Sequence, residues 1–409
     1  MVRLDDGGMR LRSGVPVWCP EPAAIGGGAA RAVVELETDI VIVGAGITGA
    51  FLAERFTRSG RRVVLIDRRQ PATGSTAAST AMLLWELDSS LLEIEGRLGI
   101  EAAAQIAMRC RQQVGRIGRV VNELGIACDF RERSSLYLAG NKLDAADLRE
   151  ERRVRTHAGI EGAYLSGAEL AALGFLGDGA LLYGGAAEAD PVKLALGLLE
   201  VAQRRGAIIL GPATAEAYET TLSGVTVETR EGDIVRAQTL VLANGYEMPD
   251  FVPDDRHQLV SSWALATAPV TGEVWPDATL VWEASEPYLY MRSTAEGRVI
   301  VGGEDEEFAD PDAREALTAA KIAALCAKAA ERCPALAGAE AAFAWSGVFG
   351  QTDDSLPLIG PVPGRPHCLA AFGYGGNGIT FSAMAAEMLD AQLSGEPWAD
   401  AHLFALDRA

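Results

Sequence analysis

Residues 39–67 constrain the fold of this chain more than any other stretch. Residues 39–43 (D-I-V-I-V) form a short apolar, β-branched run of the kind found in buried parallel strands. The run enters residues 44–49 (G-A-G-I-T-G). A helix is expected over Ile47–Arg58, with Ile47, Ala50, Phe51 and Phe56 on its apolar side and Gly60 as its stop. Residues 62–67 (R-V-V-L-I-D) then read as a second buried strand. Gly44 allows the tight turn, Gly46 lets backbone N–H groups approach a pyrophosphate, and Gly49 lets helix and strand pack closely. The helix N-terminus adds positive partial charge at Ile47 and Thr48. Asp67 follows Gly44 by 23 residues, the spacing of an acid that holds a ribose hydroxyl. With strand, helix and acid all in place, the segment predicts a dinucleotide-binding unit. A plain glycine-rich turn in an α/β core is the competing reading.

Further parallel-type segments fall at 190–245 and 368–393, and antiparallel alternation at 130–140 and 255–350. Helices are expected at 93–124, 144–156, 190–205, 313–333 and 379–393. Strands are expected at 135–139, 207–210, 225–230, 234–237, 239–243, 261–269, 280–283, 288–292, 298–301, 343–349 and 368–372. The fold class is therefore α/β (α+β overall), a Rossmann-like domain with a parallel central sheet interleaved with an antiparallel-sheet substrate domain. The expected division is an N-terminal arm at 1–30, ending in the Gly26-Gly27-Gly28 run; a discontinuous nucleotide-binding domain at 31–90, 180–250 and 340–409; and a substrate or cap domain at 91–179 and 251–339.

Composition narrows the partners. The formal charge of −20 argues against nucleic acid and against an anionic membrane surface, since both need a basic patch. Cys19, Cys110, Cys128, Cys326, Cys333 and Cys368 contain no C-x-x-C pair, so they read as reduced thiols rather than a metal or disulfide framework. The four histidines are scattered and suggest no metal set. Residues 1–28 lack the apolar core of a signal peptide, and no apolar run is long enough to span a bilayer. A soluble, cytoplasmic protein is expected.

Residues 373–378 (G-Y-G-G-N-G) repeat the G-x-G-x-x-G pattern after a strand and before a helix, but only 31 residues follow. They leave no room for a second βαβ unit. The better reading is a turn whose helix N-terminus faces another part of the same cofactor.

Four stretches together resemble a known family: V-I-V-G-A-G-I-T-G-A; G-S-T-A-A-S-T-A-M-L-L-W-E-L-D at 74–88; T-L-V-L-A-N-G-Y at 239–246; and Q-T-D-D-S-L-P-L-I-G at 351–360 with F-G-Y-G-G-N-G-I-T. They resemble the FAD-dependent amine and amino-acid oxidases of the D-amino-acid oxidase superfamily, which includes glycine oxidase, sarcosine oxidase and D-amino-acid dehydrogenase. The resemblance covers nearly the whole chain from residue 39 to 393. It implies FAD as cofactor. Gly74, Ser75, Thr76, Ser79 and Thr80 would wrap flavin and pyrophosphate; Thr214 and Ala215 would meet the adenine; Asn244 and Gly245 would lie beside the adenosine half; and Gly375, Gly376, Asn377, Gly378, Ile379 and Thr380 would meet the flavin ring. Arg68 is counted with the cofactor residues, although a solvated turn is its simpler reading.

The stretch Y-L-Y-M-R at 288–292, followed by Gly302-Gly303, resembles the strand pair carrying a substrate-carboxylate arginine, so Arg292 is expected to bind a carboxylate bidentately. A strand surface charge is the alternative. Tyr288, Tyr290, Trp85 and Glu86 are candidates for the substrate pocket. Glu86 ends an apolar run; without a partner its carboxyl would be desolvated, with a raised pKa, and it could pair with Arg292 or bind a substrate amine. Sarcosine-oxidase-type members tether flavin to a cysteine near the position of Gly347; no cysteine lies between Cys333 and Cys368, so FAD is expected to be non-covalent.

The expected reaction is oxidation of a C–N bond in a small amine or amino acid. The amine binds neutral, hydride passes to flavin N5, and the imine hydrolyses. Electrons then leave to oxygen or a quinone-type acceptor. The alternatives are an NAD(P)H-dependent flavin reductase or monooxygenase, a flavoprotein that uses FAD structurally, and a C–O substrate such as a 2-hydroxy acid.

Overall fold

The computed structural model describes residues 2–3, 9–18, 33–253, 255–272, 274–396 and 398–408. Cys19, the Gly26-Gly27-Gly28 run and most of the expected arm at 1–30 lie outside the described residues. Arg12–Gly14 is not a free arm. It is an edge strand, pairing antiparallel with Trp345–Gly347.

Among the described residues the strands form two sheets. The nine-stranded sheet runs Val2–Arg3, Ala215–Thr221, Gly224–Thr229, Ile234–Leu242, Glu35–Val43, Val63–Ile66, Ile208–Leu210; Cys368–Phe372 pairs with Ile234–Leu242 and with Leu358–Pro361. Its centre is parallel: Glu35–Val43 lies between Ile234–Leu242 and Val63–Ile66. The parallel strands thus carry their C-terminal ends, Val43, Ile66 and Leu242, to one edge, where α/β sheets bind ligands.

The helix Ile47–Arg58 has the expected bounds. Pro191–Arg204 is capped by Asp190, whose carboxylate accepts from the N–H groups of Val192 and Lys193 at 2.9 and 3.0 Å. The expected strands 234–237 and 239–243 are one strand. Its first half alternates in burial beside the hairpin partner, while its second half is fully buried between parallel neighbours. The change of pattern made one strand read as two. The expected helix 93–124 is two, Leu91–Leu98 and Ile100–Leu124, separated by Gly99 at φ 85°.

The ten-stranded sheet is mostly antiparallel and runs Arg12–Gly14, Ala341–Thr352, His257–Thr267, Val299–Glu306, Leu289–Ser293, Leu280–Glu283, Arg131–Leu138, Gly179–Glu188, Met82–Leu83, with Gly162–Ser166 on Gly179–Glu188. This moves three expected boundaries. Met82–Leu83, Gly179–Glu188 and Ala341–Thr352 belong to this mostly antiparallel sheet, although they fall within the expected nucleotide-binding segments 31–90, 180–250 and 340–409. Gly179–Glu188 escaped notice because its G-A-L-L-Y-G-G-A-A-E run carries no β-branched residue. The helix Ile100–Leu124 in turn packs Ile106, Cys110, Val114 and Ile117 into the same core as Phe51 and Leu52 of the helix Ile47–Arg58 and Met384 and Leu389 of the helix Gly378–Leu393. The chain crosses between the two sheets repeatedly, and the cavity lies where they meet. The five described cysteines are unpaired. No helix among the described residues is long and apolar enough to cross a membrane.

Candidate active site

A cavity of about 260 Å³ opens at the C-terminal edge of the parallel sheet and continues beneath the antiparallel one.

At its inner end Gly44, at φ 110°, turns the chain so tightly that a Cβ would lie 2.2 Å from the Ala243 carbonyl oxygen. A Cβ on Gly49 would lie 1.9 Å from the Gly44 oxygen, so Gly49 serves the helix–strand contact and does not line the cavity. Gly46, Ile47 and Thr48 do line it, and the helix they open has no side-chain cap, leaving its N-terminus to a ligand. The Ile47 N–H donates to Thr76 Oγ1 at 3.0 Å, which fixes Gly74, Ser75 and Thr76 on the opposite wall. Asp67 accepts from the N–H groups of Ala45 and Arg69, each at 2.7 Å, and burial pushes its carboxyl above the usual range. Asn244 and Gly245 complete this end.

Three expected cofactor residues lie elsewhere. Arg68 is off the wall, ion-paired with Glu247, and burial lowers its pKa to about 10. Thr214 and Ala215 are also off the wall: the Thr214 N–H is taken by Glu231 at 2.8 Å, and Ala215 begins a strand.

At the outer end Ser79 and Thr80 face Gly375, Gly376, Asn377, Gly378 and Ile379. The helix Gly378–Leu393 also lacks a side-chain cap. Asn377 Nδ2 donates to the Glu86 and Leu84 carbonyls at 2.8 and 3.2 Å, and Thr380 Oγ1 donates to Leu84 at 2.9 Å. The Gly376 N–H donates to Asp88 at 2.7 Å. Thr380 is therefore a strap that holds residues 84–88 over the turn and is not a wall residue.

Tyr288, Tyr290 and Trp282 form an aromatic wall beside this turn, with the two tyrosine rings 5.7 Å apart. Tyr290 fits because residue 302 is glycine: a Cβ there would sit 2.3 Å from the tyrosine oxygen. Glu86 lies on the wall and is 3% exposed. One of its oxygens accepts from Ser135 and lies 3.5 Å from Arg155 Nη1; the other, Oε2, has no hydrogen-bond partner. Burial raises the Glu86 pKa, outweighing Arg155. Arg155 is itself bonded to Glu151 at 2.8 Å and enclosed by the rings of Trp85, Tyr137 and Tyr183. Trp85 belongs to that cage, not to the cavity wall.

Arg292 does not reach the cavity, contrary to expectation. Its guanidinium donates to the Thr80 carbonyl at 2.7 Å, to Glu188 at 3.0 Å and to the Ala189 carbonyl at 3.0 Å, and it stacks on Trp18. It is a buried tie between strands, with its donors committed.

Two acids escaped the sequence reading. Asp88 lines the cavity, open to its interior and surrounded by protein elsewhere, and that burial raises its pKa. Asp305 sits behind Ser262 and Tyr288; burial first, and then the nearby Asp88, push it up to about 7. Asp88 closes a stretch that drew notice only as a family motif, and Asp305 sits in an acidic run that resembles solvated surface.

A family model described as FAD dependent oxidoreductase matches residues 39–392. The bifunctional tRNA 5-methylaminomethyl-2-thiouridine biosynthesis protein MnmC of Ralstonia nicotianae is 26% identical, the match covering 90% of this chain and 59% of that protein, so this chain spans less than two thirds of its length. The uncharacterized oxidoreductase YurR of Bacillus subtilis is 28% identical, covering 83% of this chain and 90% of its own. Among solved structures, glycine oxidase from Geobacillus kaustophilus is similar with a TM-score of 0.76 at 21% identity, over 91% of this chain and 99% of that one. At that identity the likeness concerns the fold alone.

Proposed function

The chain belongs to the FAD-dependent oxidoreductase family, and from that premise we propose that it oxidises a C–N bond of a small amine to an imine, which water then hydrolyses. FAD is the cofactor, and the residues present fit it. Two uncapped helix N-termini face one continuous cavity, with a cradle at Gly44 and Gly46 that side chains would fill and Asp67 placed for a ribose. When bound, FAD supplies the hydride acceptor, with oxygen or a quinone-type molecule as final oxidant.

One observation carries the amine reading. Glu86 Oε2 is a buried acceptor with no partner, on the cavity wall beside the flavin-end turn. It accepts a hydrogen bond from a substrate N–H. Because burial raises its pKa, the same carboxylate takes the extra proton of an ammonium, leaving the amine neutral for reaction. Tyr288, Tyr290 and Trp282 exclude water and orient the substrate. Non-covalent attachment is supported by the described wall, which carries no cysteine or histidine. The five unpaired described cysteines support a reducing, cytoplasmic setting. A tRNA substrate, as the name of the Ralstonia relative suggests for that protein, is disfavoured by the charge of −20.

The test is anaerobic mixing of the holoenzyme with L- and D-amino acids, N-methyl amines and polyamine derivatives, monitored by flavin bleaching. An amine is expected to bleach the flavin, and acid precipitation to release all of it. Bleaching by 2-hydroxy acids but by no amine would replace the C–N reading with a C–O one.

A further inference from the structure

The flavin end of the cavity is acidic. Glu86 and Asp88 lie on its wall and Asp305 directly behind Ser262 and Tyr288. Among the described residues, Arg69 is the only basic side chain on the cavity wall. It stands at the dinucleotide end, donating to the Met9 carbonyl at 2.8 Å and lying 3.4 Å from Glu247. The nearer guanidiniums are spent elsewhere: Arg155 inside its aromatic cage, Arg292 on Thr80, Glu188 and Ala189. Lys142 acts on Asp88 only from the exposed surface. Lys321 acts on Asp305 but is shared with Glu304 at 3.4 Å and Glu306 at 2.7 Å.

Independent of this charge balance, a buried acceptor on the wall is left unfilled: Glu86 Oε2 has no hydrogen-bond partner. A buried acceptor of this kind marks the place of a missing donor. The intervening wall is Trp282, Tyr288 and Tyr290, whose ring faces attract cations. An α-amino acid would bring a carboxylate to this wall and find no counter-ion. A second ammonium would find two acids and three rings.

Resting on the amine-oxidation reading, we infer that the substrate is a diamine or polyamine derivative without a carboxylate, its remote ammonium held by Asp88, with Asp305 behind the wall adding negative charge, while Glu86 receives the reacting nitrogen. In the reaction the Cα–H bond breaks, its electron pair and hydrogen passing to FAD as hydride. The nitrogen loses one proton, and the C=N bond forms. Water then cleaves the imine to a carbonyl compound and an amine. The remote ammonium is unchanged throughout.

The test uses the holoenzyme and three probes of matched length under anaerobic conditions: N-methylputrescine, N-methylbutylamine, which lacks the second charge, and N-methyl-γ-aminobutyrate, which replaces it with a carboxylate. Sarcosine is the fourth probe. The diamine is expected to reduce the flavin at least roughly tenfold more efficiently than the monoamine, and the carboxylates less efficiently than either. Asp88→Asn and Asp305→Asn are each expected to lower the ratio of diamine to monoamine kcat/KM about tenfold. That split separates a charge contact from a folding defect, which would lower both substrates together and release FAD.

Preference for sarcosine or the γ-aminobutyrate over the monoamine would overturn the inference while leaving amine oxidation standing. Equal losses on monoamine and diamine in both variants would do the same. Bleaching by a 2-hydroxy acid and by none of the four probes would overturn both readings.

Discussion

Arg292→Ala separates the two roles open to this residue. The Arg292 and Glu188 side chains are each 4% exposed. Deleting the guanidinium leaves a buried carboxylate with one remaining partner, Arg133 at 2.7 Å, and strips donors from the Thr80 and Ala189 carbonyls. Breaking a buried pair costs about 3–5 kcal/mol; the surviving Arg133 contact puts this case near the lower end, about 3 kcal/mol. In a chain of this size that lowers Tm by roughly 3–4 °C. Thr80 lies on the cavity wall, so FAD affinity should fall as well. Arg292→Lys keeps the charge but cannot reach three partners at once, and should lose part of the same stability. The assay is thermal unfolding of apo and FAD-loaded protein, followed by steady-state kinetics at saturating FAD, where KM should stay within about threefold of wild type because no wall contact is lost. An unchanged Tm with KM for carboxylate substrates raised tenfold or more would return Arg292 to the substrate site.

Two further outcomes follow from the cavity. Gly49→Ala forces a Cβ to within 1.9 Å of the Gly44 oxygen; at ~1–3 kcal/mol for overpacking, FAD should bind about tenfold more weakly, and wild-type affinity by flavin titration would contradict the packing role. Asp305 is raised from 3.8 to about 7 in the fold, so its contribution to stability is present below its unfolded value and is lost as pH rises through about 7. Relative to Asp305→Asn, the apo protein should therefore lose stability across that window, while diamine kcat/KM rises toward pH 7 as the carboxylate ionises; parallel profiles in the two proteins would remove Asp305 from both roles.

What was legible in the sequence was local. The turn at Gly44–Gly49 and its helix are set by contacts within one βαβ unit, and Asp67 falls on the cavity because the strand before it ends there. Asp305 was hidden by a non-local feature. The pairing of His257–Thr267 with Val299–Glu306 shifts register between Ser261 and Trp263, and Glu304 adopts φ 61° beside the shift. Strand alternation breaks at that point, so four consecutive acids at 304–307 give no sign that one of them turns toward Ser262.

The Arg292 reading failed along the strand rather than across it. Tyr288, Tyr290 and Arg292 share one parity, and two residues advance a strand by about 7 Å. Tyr288 and Tyr290 line the cavity. One further step carries Arg292 past the cavity's edge, where Trp18 covers it and Glu188, 104 residues distant in the chain, completes its bonding. Nothing in Y-L-Y-M-R records where the cavity ends. That limit is drawn by the close of Gly179–Glu188 and by a segment from the N-terminal region, both remote in sequence. The same displacement gives the cavity its charge: with the arginine spent on structure, the acids at Glu86 and Asp88 face the cavity without a guanidinium beside them on the wall.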